Sequence, residues 1–278
     1  MTHLLSANLL RLRKNLMFWL SVLAMLLFTL YKVVYLEYID FLRYPEYHSD
    51  VDQNGLFFLS TAVAGIFSAV TASLFLGADF SGGGLRNKLI AGNRRSSVYL
   101  SNYFTVGIAS TVIWLTTVAI TAALLPILFG KSVDPAVFPL LGVSLLCVWS
   151  TAAVLTWLGM SIPNQAASAV TALLFLLVVF VLCITQAPRL VGPEQVVIDW
   201  NFTEAGDVVE IYGQNPYYLG GVSRWILKAL LCVLPGGQNV AMMYEGCVEP
   251  GYLAIGAAST MVCSTLAGLF CFKRKDLK

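Results

Sequence analysis

Charged residues are scarce in this 278-residue chain: they make up 12% of it, against 58% hydrophobic residues, and the net charge is +2. A soluble domain carries about a quarter charged residues, so the deficit excludes an ordinary water-soluble fold and marks an integral membrane protein. The near balance of 17 basic and 15 acidic residues offers no basic stripe on a solvated face, so no nucleic-acid partner is expected. Histidine is almost absent. His3 and His48 both fall outside the apolar runs, which excludes His-based metal catalysis within the membrane. The six cysteines, Cys147, Cys183, Cys232, Cys247, Cys263 and Cys271, form no CxxC pair, so neither a zinc site nor a thioredoxin-like motif is indicated. No catalytic residue and no metal ligand set emerges.

Long apolar runs are abundant instead. A helix crosses the hydrocarbon core with about 20 apolar residues, because it rises about 1.5 Å per residue and bonds every backbone group internally. Six stretches qualify, approximately Asn15 to Leu36, Gly55 to Ala78, Phe104 to Gly130, Ala136 to Met160, Ala166 to Gln186 and Gly251 to Phe272. The predicted fold class is an all-α membrane protein with six transmembrane helices, forming a single transmembrane domain over residues 1–278. Lys32 is the one charged residue in these stretches and is expected to snorkel to the interface. Arg11, Arg13 and Lys14 precede the first stretch as they would in a secretory signal. That stretch is too long and lacks an A-x-A cleavage site, so it is expected to remain as an anchor.

Basic residues fix orientation, because cytoplasmic loops retain Lys and Arg. With both termini inside, the inner segments hold Arg11, Arg13, Lys14, Arg86, Lys88, Arg94, Arg95, Lys273, Arg274, Lys275 and Lys278, with only Asp79 and Asp276 as acids. The other acids fall in Glu37 to Asn54, Lys131 to Pro135 and Pro188 to Pro250, all assigned outside.

Residues 1–14 read as an interfacial helix, with Leu5, Leu9, Leu12 and Leu16 on one side and Arg11, Arg13 and Lys14 on the other. A plain positive flank is the alternative. The inner loop 79–103 contains Gly82-Gly83-Gly84, then Leu85-Arg86-Asn87-Lys88-Leu89-Ile90, then Gly92 and Arg94-Arg95. A short helix from about Leu85 to Ala91 would place Leu85 and Leu89 on one face, with Gly92 as a left-handed stop and Ser96 or Ser97 capping the next span. A partner groove would read those leucines as anchors and the cations as orienting charge; a lipid-facing interfacial helix is the competing reading. The outer segment 188–250 is too long to lack structure. Its apolar run Arg224 to Leu234 is too short to span and is broken by Pro235-Gly236-Gly237, as in a re-entrant or interfacial element.

The inner loop resembles the cytoplasmic coupling segment of bacterial type-2 ABC exporter permeases, the six-helix subunits that work with a separate ATP-binding subunit. The residues that carry the likeness are Asp79-Phe80-Ser81, Gly83, Leu85 to Ile90, Gly92, Arg95 and Val98-Tyr99-Leu100-Ser101-Asn102. The layout also fits: inner termini, a basic N-terminal helix, Leu234-Pro235-Gly236-Gly237-Gln238 in the outer segment, and the basic end Phe272 to Lys278. Gly82 and Gly84 depart from the pattern and are expected to loosen the start of the coupling helix. The resemblance implies two copies of an ATP-binding subunit and a second permease chain, identical or homologous. It also implies a multi-pass location in a bacterial cell membrane, among lipid. ATP and Mg would belong to the partner subunit, with no cofactor on this chain. It implies further that Arg86, Asn87, Lys88, Arg94 and Arg95 meet the ATPase while Asp79 ties the loop back to one of the cations. The exported substrate would be hydrophobic or amphipathic, a peptide by preference.

A P-loop is missing: Gly130-Lys131-Ser132 has Leu125 where the first glycine belongs and lies on the outer side. Two small-residue stripes, Gly65, Ala69, Ser73, Gly77 and Gly256, Thr260, Ser264, Gly268, recur every fourth residue and permit close helix approach within one chain or at a dimer seam. Pro235, Gly236 and Gln238 mark the outer re-entrant turn. Cys232 and Cys247 share the outer segment, where a disulfide is one possibility. Asn201-Phe202-Thr203 is a sequon that matters only in a eukaryotic secretory pathway. An ion-coupled transporter would need an acidic residue in a span, and an intramembrane enzyme would need a nucleophile with a base. An accessory or structural multi-span protein is the alternative that remains.

Overall fold

A computed structural model describes residues 1–43, 51–202 and 208–275 of the chain. His48, Thr203 of the sequon, the acids Glu46, Asp50, Glu204 and Asp207, and the tail residues Asp276, Leu277 and Lys278 lie outside them. Six helices are long and apolar enough to cross a membrane: Leu16–Arg43, Gln53–Ser81, Arg95–Phe129, Val137–Ser161, Gln165–Val191 and Pro250–Arg274. Each coincides with one of the six predicted stretches, so the chain is a predominantly helical, multi-pass membrane protein.

In chain order, α1 (Thr2–Arg13) precedes α2 (Leu16–Leu30), which continues through a π-helical stretch, Tyr31–Tyr38, into α3 (Ile39–Arg43). Next come α4 (Gln53–Ser81), α5 (Gly84–Ile90), α6 (Arg95–Phe129), α7 (Val137–Ser161), α8 (Gln165–Gln186) and α9 (Pro188–Val191). Strands β1 (Gln195–Phe202) and β2 (Val208–Gln214) pair antiparallel, and α10 (Gly221–Val233), α11 (Gly237–Met243) and α12 (Pro250–Arg274) complete the chain.

Polar side chains set several helix starts. Asn15 Oδ1 accepts from the Met17 and Phe18 amides, and Asn164 Oδ1 from those of Ala166 and Ala167, satisfying first-turn donors that have no partner inside the helix. Asp52 does the same for Gly55 at the start of α4. Neither Ser96 nor Ser97 caps α6. The helix starts a residue earlier, behind Arg94, and runs unbroken from there because Val98, Tyr99, Ser101 and Asn102 are all buried. The expected inner loop 79–103 thus shrinks to α5 and two short turns.

The central post is α4, the most buried of the six spans, against which α2, α6, α7, α8 and α11 pack. Its small-residue stripe makes that possible. A Cβ on Gly77 would lie 2.8 Å from the Cα of Gln165 at the start of α8, and Gly65 faces Leu176 of the same helix. The second stripe also works within the chain. Gly256 abuts the Cys232 backbone of α10, Thr260 donates to the Val233 carbonyl at 2.9 Å, and Gly268 leaves the notch filled by the Tyr99 phenol of α6. Both faces are occupied by the protein's own helices.

The segment 188–250, expected outside, departs most from expectation. It carries the β1–β2 hairpin, in a fold predicted to be wholly helical, with an irregularity in register between Val197 and Asp199. Beyond it, α10 and α11 meet at 116°. Gly236 turns the corner at φ +88°, a conformation that disfavours a side chain. Gly237 then lets α11 approach α8, since a Cβ there would sit 2.7 Å from the Cys183 sulfur. The first six residues of α11, including Gln238, are fully buried, and Gln238 Nε2 donates to the Cys232 carbonyl at 2.6 Å.

Candidate partner interface

One end of the bundle gathers α1, α5, the start of α6 and the end of α12, and with them nearly all the basic residues counted as inner. At its centre is Asp79, on the last turns of α4 and 1% exposed. A bare carboxylate at such a site is costly unless paired, and two cations pair it. Arg11 of α1 donates to Oδ1, and Lys88 of α5 donates to Oδ2 at 2.8 Å. Lys88 Nζ also donates to Asn8 Oδ1 at 2.9 Å, and Asn8 Nδ2 donates to Asn102 Oδ1 of α6 at 2.8 Å. Arg11 reaches the Phe75 carbonyl as well, its guanidinium 3.8 Å from the centre of the Phe75 ring.

The predicted coupling residues divide into two sets. Leu85, expected to anchor a partner, is 2% exposed and joins the core with Leu12, Tyr99 and Phe272, and Leu89 packs against the same cluster. The helix presents its leucine face to its own chain, so these two are not partner anchors. Lys88 also turns inward. Arg95 is drawn away too: its guanidinium donates to the carbonyls of Phe272, Lys273 and Lys275 at 2.6 to 3.3 Å. The exposed tip consists of Arg86, Asn87, Ile90, Ala91, Gly92 and Arg94. Ile90, 73% exposed, is the large apolar residue there and is not among those the sequence places against a partner.

The glycines of this corner shape it. Gly83 begins α5 at φ +68° and Gly92 follows its end at φ +82°, the latter as predicted. A Cβ on Gly84 would stand 2.9 Å from Asp79 Oδ1. Gly84 therefore lies close against the Asp79 carboxylate at the start of α5. Two further residues differ from expectation. Arg11 points into the protein with the leucine face of α1, and Leu16 belongs to α2 and is exposed.

Lys275, just beyond α12, donates to the carbonyls of Met160 and Ser161 at the end of α7 and lies over the Phe80 ring. Burial lowers its pKa. At the opposite end, Lys32 does not snorkel: it is 1% exposed and donates to the Gly55 and Leu56 carbonyls at 2.5 and 2.9 Å. A cavity of about 760 Å³ opens there, with Asp52, Asp134, Tyr244 and Glu245 among its lining residues. Cys232 and Cys247 are both free thiols. Burial pushes the Cys247 thiol up to about 11.

No protein-family model matches the chain, and no curated protein matches it.

Proposed function

We propose that this chain is the permease subunit of an ATP-driven exporter of the type-2 ABC kind, moving a hydrophobic or amphipathic substrate, a peptide by preference, out of a bacterial cell. The observation that carries the reading is α5: a seven-residue helix between two spans, rooted on one face and presenting Arg86, Asn87 and Ile90 on the other, with exposed Arg94 just beyond its end. A lipid-facing helix would turn its leucines outward. This one turns them toward its own chain and shows a single large apolar residue, Ile90, among polar and cationic ones, the form of a small anchor with orienting charge.

In this reading the basic end is cytoplasmic, by the excess of Lys and Arg, and both termini are inside. The α10–α11 pair is a re-entrant hairpin entering from the outer side, its bent backbone shielded by α4, α7, α8 and α12 as membrane burial demands. ATP and Mg are held by two copies of a separate ATPase subunit, and a second permease chain completes the path. Closure of the ATPase pair would push on the α5 tip and shift α4 and α6, between which α5 is strung.

The test is to purify the chain from its native membrane in mild detergent and identify what accompanies it by mass spectrometry. Recovery of a soluble subunit with a P-loop, lost in an Ile90→Asp/Arg94→Glu variant that still folds, is the expected result. Recovery of the chain alone, under conditions that keep comparable complexes intact, would overturn the reading in favour of an accessory membrane protein.

A further inference from the structure

We infer that α1 is a working part of the partner-facing apparatus, and that Asp79 is the positioning residue that makes α1, α5 and the end of α4 one body. The inference rests on the permease reading for what the body does, but not for its existence.

Two cations from two separate helices, Arg11 of α1 and Lys88 of α5, converge on one buried carboxylate of α4. Asp79 has no exposed side-chain surface, and Lys88 retains only 17% of its own. Each cation also makes a second tie. Lys88 holds Asn8 as well as Asp79, so α5 is bonded to α1 directly and through the carboxylate. Arg11 holds Asp79 and the Phe75 carbonyl, so α1 is bonded to α4 over a full turn. Asn8, 1% exposed, passes the connection to Asn102 and Ser101 on α6. A helix that merely floats at a membrane surface has no use for a buried asparagine facing a span. Gly84 adds a steric observation: a Cβ there would stand 2.9 Å from Asp79 Oδ1, so a larger residue would displace the carboxylate from its present place against the first turn of α5.

The consequence is geometric. The orientation of Arg86 and Ile90, and of Arg94 just beyond them, is set from the opposite face of α5 by Lys88 and Asp79, groups turned toward the protein's own interior. A push on the tip would then be delivered to α1 as well as to α4 and α6.

Hydrogen exchange by mass spectrometry, on the full chain in lipid nanodiscs without any partner, tests this. In the wild type, residues 2–13 and 84–90 should exchange slowly. Lys88→Met, Arg11→Met and Asp79→Asn should each raise exchange in both segments together, by roughly tenfold, while α8 stays protected. Lys88→Arg should restore the wild-type pattern. A rise confined to the helix carrying the substitution, or no rise, would overturn the inference. Should Asp79→Asn prevent folding, the two methionine variants still decide it. Because no ATPase takes part, failure of the permease reading would show only in the purification experiment.

Discussion

Gly77 provides the sharpest test of how the bundle is held together. Replacing it with Ala adds one methyl group at 2.8 Å from the backbone Cα of Gln165, a distance that no rotamer change relieves. The start of α8 must move, and the Gln165 amide loses its reach to the Leu74 carbonyl, now 3.3 Å. Overpacking of this kind costs about 1–3 kcal/mol. Ala also favours helix over Gly by about 0.5–1 kcal/mol, which would mask part of the loss. Gly142→Ala on α7 isolates the steric part, since that glycine is exposed and has nothing within 4 Å of its Cβ position. Both variants gain the same helix preference, so their difference is the packing cost alone. At about 2–4 °C per kcal/mol for a chain near this size, Gly77→Ala should melt roughly 2–12 °C below Gly142→Ala. Tryptophan fluorescence in detergent micelles would follow the transition. Equal melting temperatures would refute the claim that α4 and α8 touch through this stripe.

Two further outcomes follow from the same packing. Leu85→Ala should destabilise the chain by about 2–5 kcal/mol, as for other buried leucines, whereas Ile90→Ala should leave melting unchanged and weaken only partner capture; the reverse pattern would mean the faces of α5 are misassigned. Cys247 should resist a membrane-impermeant maleimide at neutral pH, because it is buried and its thiol is raised to about 11. Non-reducing mass spectrometry should find it unlinked to Cys232.

The six spans were legible because hydropathy over 20 residues is a strong signal with few alternatives in lipid. The position of α5 was legible too, since glycines fence it on both sides. Its facing was not. Seven residues carry Leu85 and Leu89 on one side and Ile90 on another, and amphipathicity alone does not say whether an apolar side meets the chain's own core or a stranger. Asn8 left a readable trace: it shares a face with Leu5 and Leu12, where a polar residue needs a partner. The hairpin could have been found from Val196-Val197-Ile198 and Val208-Val209, runs with the branching that favours strands. What no local pattern reveals is the meeting of Arg11 and Asp79, 68 residues apart, because it depends on how α1 lies across α4.

The grip of Arg95 on the last carbonyls of α12 has a mechanical meaning. Arg95 opens α6, immediately after the α5 tip, and the segment it holds is the C-terminal end of α12 and the residue after it. Force entering at the tip therefore has two roots, one through α1 near the beginning of the sequence and one through α12 near its finish. The corner is braced like a joint between two posts. A cut placed directly after Arg274 would remove the Lys275 carbonyl from that brace, leaving Arg95 to hold the second post by the Phe272 and Lys273 carbonyls alone.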